Sequence, residues 1–388
     1  MFFMIAHFDL DCFFVAVERL YDPSLIGKPV AVGGSPEGRG VIASASYEAR
    51  KFGVRSAMAT ATALRLCPQL IVVGGRHGTY RKHSKAFQAI LEEFSPLVEM
   101  ASVDEAYVDF AGTEKLWGPT DRVCRIIIDR VKGECGLDVS VGLSTSRIVS
   151  KIAGSIAKPQ GFSFVPPGNE AAFLAPLKIE EMPGIGPRTA EAMHAAGIHT
   201  LGDLAKRPPA DRWSEWAPYA AGSVRGEIHT GDERKSLSVE TTFAADLGAG
   251  EELWLLLREV AEESGRRLRR EGIVARTVGV KLKYADFSLQ THARTLARPT
   301  DLDAEIYDVA RALAEEKIGA RKIRLIGVHL SNFLAEDEAP AGQIDLFASP
   351  EDPKRERLRK LDRTLDKLKS KYGEEGIVRG YQKTDDED

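Results

Sequence analysis

Two short acidic stretches carry the residues best suited to chemistry in this chain. In the first, an apolar run ends in Asp9 and Asp11, and in the second, Asp104 and Glu105 lead into an alternating stretch. Both stretches are rich in β-forming residues, which predicts two strands. Carboxylates on a buried strand cost free energy unless they are compensated, and a divalent cation is the usual compensation. If the strands are neighbours, these carboxylates supply enough oxygen ligands for two Mg²⁺ ions, as a phosphoryl-transfer site requires.

A single Asp at a strand end is more often a solvated turn residue, so this prediction depends on the surrounding sequence. Further motifs follow in a fixed order along almost the whole chain, at residues 12–18, 46–54, 140–144 and 157–161. With these motifs the sequence resembles the Y-family of DNA polymerases, in its DinB branch. The resemblance implies an enzyme that adds deoxynucleotides to the 3′ end of a primer on a DNA template.

The resemblance also implies which groups hold the cofactor, two Mg²⁺ ions. By this comparison Asp9, Asp104, Glu105 and the backbone carbonyl of Leu10 bind the metal ions, whereas Asp11 has a structural role. The family members carry out low-fidelity translesion synthesis during DNA repair. The sequence offers no additional acidic motif for a proofreading exonuclease, so we expect no editing of errors.

A second group of residues is expected to bind the incoming nucleotide. Tyr47 and Arg50 lie about one helical turn apart and share a face, and a guanidinium grips phosphate oxygens in a bidentate fork. In the family the matching residues, together with the lysine matching Lys158, bind the triphosphate. Phe13 and Phe14 are assigned to the same site. The family places an aromatic ring at Phe14 beneath the sugar, where it excludes a 2′-hydroxyl; the alternative is an ordinary core residue.

The composition limits the class of protein. A chain of 388 residues with 43% hydrophobic and 28% charged residues is typical of a soluble protein of two to four domains. No apolar run is long enough to span a membrane, and the start lacks the basic region of a signal peptide. The four cysteines have no metal-type spacing, which fits a reducing cytoplasm. The net charge of −4 means that any DNA-binding surface must be local.

The pattern of elements predicts an α+β multidomain fold. Helices alternating with strands over residues 75–166 indicate an antiparallel sheet with helices on one face, a ferredoxin-like arrangement with its acidic residues on the open face. By resemblance, residues 1–11 and 75–166 form the palm, and residues 12–74 form small fingers. Residues 167–233 form a helical thumb, residues 234–335 an α/β little finger, and residues 336–388 a tail.

Three features predict contacts with the DNA backbone. Residues 182–190 have the form of a helix-hairpin-helix, whose glycines direct backbone N–H groups at a phosphate. A basic cluster on a helix follows, although a solvated helix face explains it equally well. The strand at residues 277–287 alternates, with an apolar face and a basic face that suits a phosphate cradle. The predicted contacts are Gly184, Gly186, Arg266, Arg267, Lys281 and Lys283.

The tail carries two candidate binding segments. Gln343, Leu346 and Phe347 resemble the motif with which bacterial polymerases bind the sliding clamp. A charged helix follows, with an apolar stripe that predicts docking on another surface: Leu358, Leu361, Leu365 and Leu368. The expected partners are therefore primer–template DNA, deoxynucleoside triphosphates and the clamp, for a monomeric protein that has no membrane contact.

Two other functions share parts of this pattern. A non-catalytic scaffold that recruits a partner to the clamp would keep the fold and lose the acidic residues, which this chain retains. A nucleotide cyclase shares the palm, but it would need neither the helix-hairpin-helix nor the clamp-like motif. Both alternatives therefore explain less of the sequence than a polymerase does.

Overall fold

The computed structural model describes residues 3–231, 234–335, 353–373 and 377. The chain divides into two compact units, Met1–Asp232 and Glu233–Asp388. The clamp-like motif at residues 343–347 and the acidic C-terminus lie outside the described residues. In the part of the chain that the structure describes, no helix is both long and apolar enough to cross a membrane. The four cysteines are free thiols, and all are buried.

Among its described residues, the first unit has eight strands in two sheets. The strands are β1 (Ile5–Leu10), β2 (Val30–Gly33), β3 (Ile42–Ala45), β4 (Ile71–Val73), β5 (Val98–Met100), β6 (Glu105–Asp109), β7 (Val139–Ser144) and β8 (Phe162–Phe164). Five of them form one sheet in the order β5-β6-β1-β7-β8, and the other three form a small sheet in the order β3-β2-β4.

The described part of the first unit also has eleven α-helices. They are α1 (Phe13–Tyr21), α2 (Tyr47–Arg50), α3 (Thr60–Leu66), α4 (His77–Phe94), α5 (Glu114–Trp117), α6 (Thr120–Arg130), α7 (Arg147–Ala157), α8 (Glu170–Leu174), α9 (Pro187–Ala195), α10 (Leu201–Ala205) and α11 (Ala217–Ala220). Short helical turns occur at Pro23–Leu25, Val131–Cys135, Ile179–Glu181 and Ser214–Trp216.

Strand β1 is the centre of the five-stranded sheet and pairs antiparallel with both β6 and β7. Alternate residues of a strand point to opposite faces. Ala6, Phe8 and Leu10 therefore join the core formed with α4 and α6, whereas His7 and Asp9 point to the other face. This sheet is the predicted palm, with its two acidic strands adjacent.

The second face of this sheet is partly covered, which the sequence did not predict. Helix α7 crosses it, and a Cβ atom at Gly142 would lie 2.0 Å from the Ser150 carbonyl oxygen and 2.3 Å from the Gly154 amide nitrogen. Small residues at these positions therefore allow the close approach. Val149 and Ile152 of α7 are buried against the neighbouring core, whereas Ile156 near its end is 49% exposed.

The start of the second acidic strand differs from the sequence prediction. Asp104 and Glu105 were both expected on it, but β6 begins at Glu105, so Asp104 lies in the preceding turn. The Ser102 hydroxyl accepts the backbone N–H groups of both Asp104 and Glu105, which stabilises this turn. Later in the sheet region, α6 ends at Arg130 and a π-turn continues it to Cys135.

The region after β8 is helical, as predicted. Gly184 has a φ of 94°, and a Cβ atom there would lie 3.1 Å from the Trp216 ring, so only glycine fits this turn. Gly186 precedes α9, whose first residue is Pro187. The first helix of the hairpin is only the turn Ile179–Glu181.

In its described residues, the second unit has one four-stranded antiparallel sheet and three helices. The strands are β9 (Ser236–Leu247), β10 (Ile273–Tyr284), β11 (Leu289–Thr300) and β12 (Ile323–Ala335), in the order β11-β10-β12-β9. Helices α12 (Glu251–Glu271) and α13 (Asp303–Ile318) pack on one face, and α14 (Pro353–Tyr372) packs on α12.

Candidate active site

The acidic residues of β1 and β6 meet at the end of the central strand. Asp9 and Glu105 are register partners, so their side chains lie on the same face. One donor atom from each of His7, Asp9 and Glu105 lies within 4.8 Å of the others. Asp104 is next to this group in the chain, but its carboxylate accepts a hydrogen bond of 2.6 Å from the Ser102 hydroxyl. The structure thus brings two of the three predicted carboxylates together and places the third beside them.

Each of the two paired carboxylates binds its own lysine. Lys158 Nζ lies 2.6 Å from Asp9 Oδ2, and Lys151 Nζ lies 2.5 Å from Glu105 Oε2. Lys151 comes from α7, the helix that crosses this face of the sheet. The four groups form two cation–carboxylate pairs at the edge of the core, where desolvation makes an uncompensated charge costly.

The two carboxylates differ in their proton affinity. Burial raises the pKa of Asp9 to about 6, although the Lys158 ammonium opposes this shift. The contact with His7, whose Nε2 lies 3.6 Å away, and the bond from Lys151 hold the pKa of Glu105 well below its usual range, even though burial acts in the opposite direction. Burial also lowers the pKa of His7. Glu105 is therefore ionised at neutral pH beside a neutral imidazole.

This donor set fits a magnesium site. Mg²⁺ takes oxygen ligands, and carboxylates from adjacent strands with lysine counter-ions already arranged around them offer such ligands. Asp9, Glu105, Asp104 and the carbonyl of Leu10 are the groups that would hold the ions. His7 is 1% exposed, and its nitrogen is a poor ligand for Mg²⁺, so its contact with Glu105 orients that carboxylate.

Asp11 connects three segments around the site. Its Oδ1 accepts the Tyr47 hydroxyl at 2.6 Å, and its Oδ2 accepts the Ser140 hydroxyl and the Gln160 backbone N–H, both at 2.8 Å. The Asp11 carboxylate thus accepts hydrogen bonds from α2, from β7 and from the loop that follows Lys158. This geometry supports the structural role predicted for Asp11.

The predicted nucleotide residues lie around this connection. The Arg50 guanidinium lies over the Tyr47 ring at 4.8 Å, and Arg50 Nε donates to the Ala45 carbonyl. Burial, and then the bond to Asp11, raise the pKa of the Tyr47 hydroxyl well above its usual range. Lys158, the third residue predicted to bind the triphosphate, forms a salt bridge with Asp9.

The two phenylalanines of α1 have different environments. Phe13 is 1% exposed and belongs to the core, so only its backbone could contact a nucleotide. Phe14 is half-buried and stacks on Tyr80 with ring centroids 4.4 Å apart. The Tyr80 hydroxyl donates to Glu18 at 2.6 Å, and burial raises its pKa to about 12. Phe14 is therefore held on a fixed ring, as a residue that excludes a sugar hydroxyl must be.

The predicted DNA contacts of the second unit lie on two different layers. Lys281 and Lys283 are half-buried on the sheet face opposite α12 and α13, and Lys281 pairs with Glu240 at 2.6 Å. Arg266 and Arg267 lie on α12, where both bind Glu263. The two sets cannot belong to one surface. The arginines therefore do not contribute to the basic face that Lys281 and Lys283 form.

Sequence reasoning missed two residues of the site. Lys151 and His7 both contact Glu105, yet neither stands in a pattern that singles it out. His7 lies two residues before Asp9, so strand alternation places both on one face and could have indicated it. Lys151 had no such signal, because only the crossing of α7 over the sheet brings it to Glu105.

Comparison with known proteins places the chain in a family. The impB/mucB/samB family matches residues 8–155, its C-terminal domain matches residues 234–346, and the helix-hairpin-helix motif of the same family matches residues 167–198. A protein named DNA polymerase IV from Dehalococcoides mccartyi (strain CBDB1) is 40% identical over 385 residues, which cover 97% of this chain and 96% of the relative. The chain belongs to the Y-family of DNA polymerases, in its DNA polymerase IV branch.

Other relatives agree with this placement. A DNA polymerase IV from Caulobacter vibrioides is 35% identical over 97% of this chain and 93% of its own length. A chimeric Y-family DNA polymerase of known structure matches 85% of this chain and 99% of its own, with a TM-score of 0.75 at 24% identity. DinB from Sulfolobus solfataricus matches 84% of this chain and 98% of its own, with a TM-score of 0.59 at 24% identity. The predicted α+β multidomain fold of the Y-family is confirmed.

Proposed function

We propose that the protein is a DNA-directed DNA polymerase that extends a primer and carries out low-fidelity translesion synthesis without proofreading. The observation that carries this proposal is the register pair Asp9–Glu105, which sets two lysine-bound carboxylates at the end of the central strand. The DNA polymerase IV relatives cover nearly the whole chain, which supports the same activity. A non-catalytic scaffold would have no need of this paired cluster.

The residues around the cluster divide the work of the reaction. Asp9, Asp104, Glu105 and the Leu10 carbonyl would hold two Mg²⁺ ions, which would supply positive charge to the reacting phosphate and lower the pKa of the primer hydroxyl. Arg50 and Lys158 bind the triphosphate, and Lys158 leaves Asp9 to do so. The Tyr47 ring lies beneath the Arg50 guanidinium and positions it. These side chains orient the nucleotide and need to transfer no proton themselves.

Contacts with DNA extend the proposal beyond the acidic cluster. The turn with Gly184 and Gly186 is narrow enough to bring backbone N–H groups to a phosphate without reading the sequence. Lys281 and Lys283 lie on the face of the sheet that carries no helix and suit the same role. Arg266 and Arg267 lie on the other layer, so they do not extend this face. The boundaries of palm, fingers, thumb and little finger remain those of the sequence prediction.

The sliding clamp is the proposed protein partner, on the sequence of residues 343–347 alone. Tethering a monomeric polymerase to its template raises the effective concentration to roughly millimolar for a short linker. Changing Leu346 and Phe347 to Ala should remove stimulation by clamp loaded on a circular template while basal synthesis persists. A variant that clamp still stimulates fully would exclude this partner. The proposed location of the protein is the cytoplasm, because free thiols are stable in a reducing compartment.

Primer extension tests the proposed function directly. The wild-type protein should extend a short primer on undamaged and damaged templates with Mg²⁺ and deoxynucleotides. The double variant Asp104→Ala with Glu105→Ala should lose extension but retain binding to the same primer–template. Arg122→Ala, at an exposed helix position of the same unit, serves as the control. A double variant that still extends the primer at a substantial rate contradicts the metal assignment, and an inactive wild type contradicts the function.

A further inference from the structure

Helix α14 has a far more basic composition than the rest of the chain. Nine of its residues are Lys or Arg and three are Asp or Glu, in a protein whose net charge is −4. Such a concentration of one charge on a folded element needs an explanation, because it destabilises the helix by self-repulsion. The contacts of α14 show how its charges are distributed between two faces.

The face of α14 that meets the rest of the unit uses its acidic residues. Asp366 binds Arg269 of α12 at 2.6 Å, and Asp362, which is 1% exposed, accepts the backbone N–H of Asp303 at 3.2 Å. On the same face, Arg355 pairs with Glu305 at 3.0 Å. The docked face is therefore a polar seam. Two of the three carboxylates of the helix lie in this seam, whereas most of its cations lie on its other faces.

The opposite face of α14 is a stripe of cations. Arg357, Lys360, Lys367 and Lys371 are exposed and recur at helical spacing with Thr364 between them, so all five positions lie on one side of the helix. Among the described residues, no carboxylate pairs with any of these four cations. We call these four residues the α14 stripe.

The stripe is continuous with a basic cleft. Between α12 and α14 lies a cleft of about 830 Å³, lined by Arg266, Arg267, Arg270, Arg363 and Lys367. Lys367 belongs both to the stripe and to this lining. The carboxylates of the cleft are Glu263 and Asp366, which already bind arginines, so the cleft and the stripe together carry excess positive charge.

We propose that the α14 stripe and the adjoining cleft form a second binding surface for the phosphate backbone of duplex DNA, separate from the polymerase site and from the open face of the sheet. The stripe from Arg357 to Lys371 is about 21 Å long at about 1.5 Å per residue. Phosphates of one DNA strand advance about 3.4 Å each along the axis, so the stripe spans about six of them.

The chemistry of the stripe favours duplex DNA over other polyanionic partners. None of its four residues is apolar, and Thr364 between them is polar, whereas a helix that lies on a membrane presents an apolar face to the lipid. None is aromatic, whereas surfaces for single strands stack bases on aromatic rings. Lysine and arginine at regular spacing along a helix suit evenly spaced phosphates, which carry no sequence information.

A binding experiment on DNA without a primer end tests this surface. The probe is a fluorescent dumbbell duplex, closed by hairpin loops, and its affinity is measured by anisotropy over a range of salt concentrations. The variant carries Gln at Arg357, Lys360, Lys367 and Lys371. It should bind about tenfold more weakly at low salt, and the slope of log K against log salt should fall by up to about 3.6. Extension of a short primer–template should be unchanged.

A matched control separates this surface from general electrostatics. Gln at Lys82, Lys85, Lys115 and Arg122, all exposed in the first unit, changes the net charge by the same amount and should leave dumbbell affinity near the wild-type value. Equal weakening by both variants overturns the proposal, as does an unchanged stripe variant. Loss of binding to polyglutamate with DNA binding intact also overturns it, in favour of an acidic protein partner.

Two further measurements keep the result interpretable. The variant with only Arg357→Gln and Lys360→Gln should show half the change in slope, and circular dichroism should show unchanged helix content, because Gln is a good helix former. The proposal rests on the proposed function only in its choice of DNA as the polyanion. A wild-type protein that fails to extend primers would defeat that function, while dumbbell binding would still report on the stripe.

Discussion

The two units each hold a cluster of opposite charges, and the clusters differ in how easily their cations can leave. In the first unit, Asp9 and Glu105 each bind one lysine, and those lysine side chains are 25% and 26% exposed. In the second unit, Arg269 is 5% exposed and donates to Asp303 at 2.8 Å and to Asp366 at 2.6 Å. The lysines of the first cluster are therefore partly exposed, whereas the arginine at the centre of the second is buried.

This difference teaches which charge clusters serve function and which serve structure. A lysine is a point charge on a flexible stem, so it can leave a carboxylate when a metal ion or a phosphate arrives. An arginine whose guanidinium N–H groups donate to several acceptors cannot leave so easily. Removing it leaves carboxylates without a counter-ion. The same two residue classes therefore build an exchangeable site in one unit and a fixed seam in the other.

The largest effect on activity is expected from Asp9. The substitution Asp9→Asn should reduce primer extension by roughly 10³-fold or more, because it removes a charge at the reacting phosphate. Folding stability should change little, since a pKa raised to about 6 shows that burial already penalises the charged form. Steady-state extension and thermal unfolding measure the two effects. A large loss of stability would mean that this cluster is structural after all.

The opposite balance is expected at Arg269. The substitution Arg269→Met should lower the unfolding free energy of the second unit by about 3–5 kcal/mol, because it leaves Asp303 and Asp366 without their shared cation. Extension by the folded fraction at low temperature should stay within a few-fold of wild type. Denaturant unfolding provides the measurement, and Arg270→Met, at the next and exposed position, is the control. Equal stability of both variants would remove the contrast between the clusters.

The third substitution tests whether Phe14 makes the site of the exchangeable cluster selective for deoxynucleotides. Phe14→Ala should reduce the preference for deoxynucleotides over ribonucleotides by roughly 100-fold, because the ring on Tyr80 no longer excludes the 2′-hydroxyl. Single-nucleotide insertion kinetics with matched pairs of nucleotides give the ratio. Tyr80→Phe is the control, since it keeps the stacked ring and loses only the bond to Glu18. An unchanged ratio for Phe14→Ala would make it a core residue only.

The smallest effect is expected at Lys151. This substitution tests most directly whether a metal ion can displace a lysine from its carboxylate. Lys151→Met should let Mg²⁺ bind about fivefold more tightly in the absence of nucleotide, because the ion no longer competes with an ammonium at Glu105. Titration calorimetry with the nucleotide-free protein measures this affinity directly. Lys115→Met, an exposed lysine of the same unit, should bind Mg²⁺ like wild type. Weaker binding by Lys151→Met would show that the lysine supports the site.

The sequence by itself determined the central strand and the chemistry at its end. Alternation of apolar residues before Asp9 predicts a strand with one face in the core, and the structure places Phe8 and Leu10 there. The order of motifs along the chain identified the family, which the comparisons confirm. Local signals of this kind survive in a single sequence because strand period, turn residues and acidic side chains act over only a few positions.

Only the tertiary structure decided which groups share the site. The register that pairs Asp9 with Glu105, the approach of Lys151 on α7, and the three bonds to Asp11 all join residues far apart in the chain. Helix α14 of the tail shows the same limit. Its leucines predicted an apolar contact, yet Leu361 is 48% exposed and the docked face is the polar seam at Asp362. Periodicity fixes which residues share a face, but the partner of that face depends on long-range packing that no local pattern records.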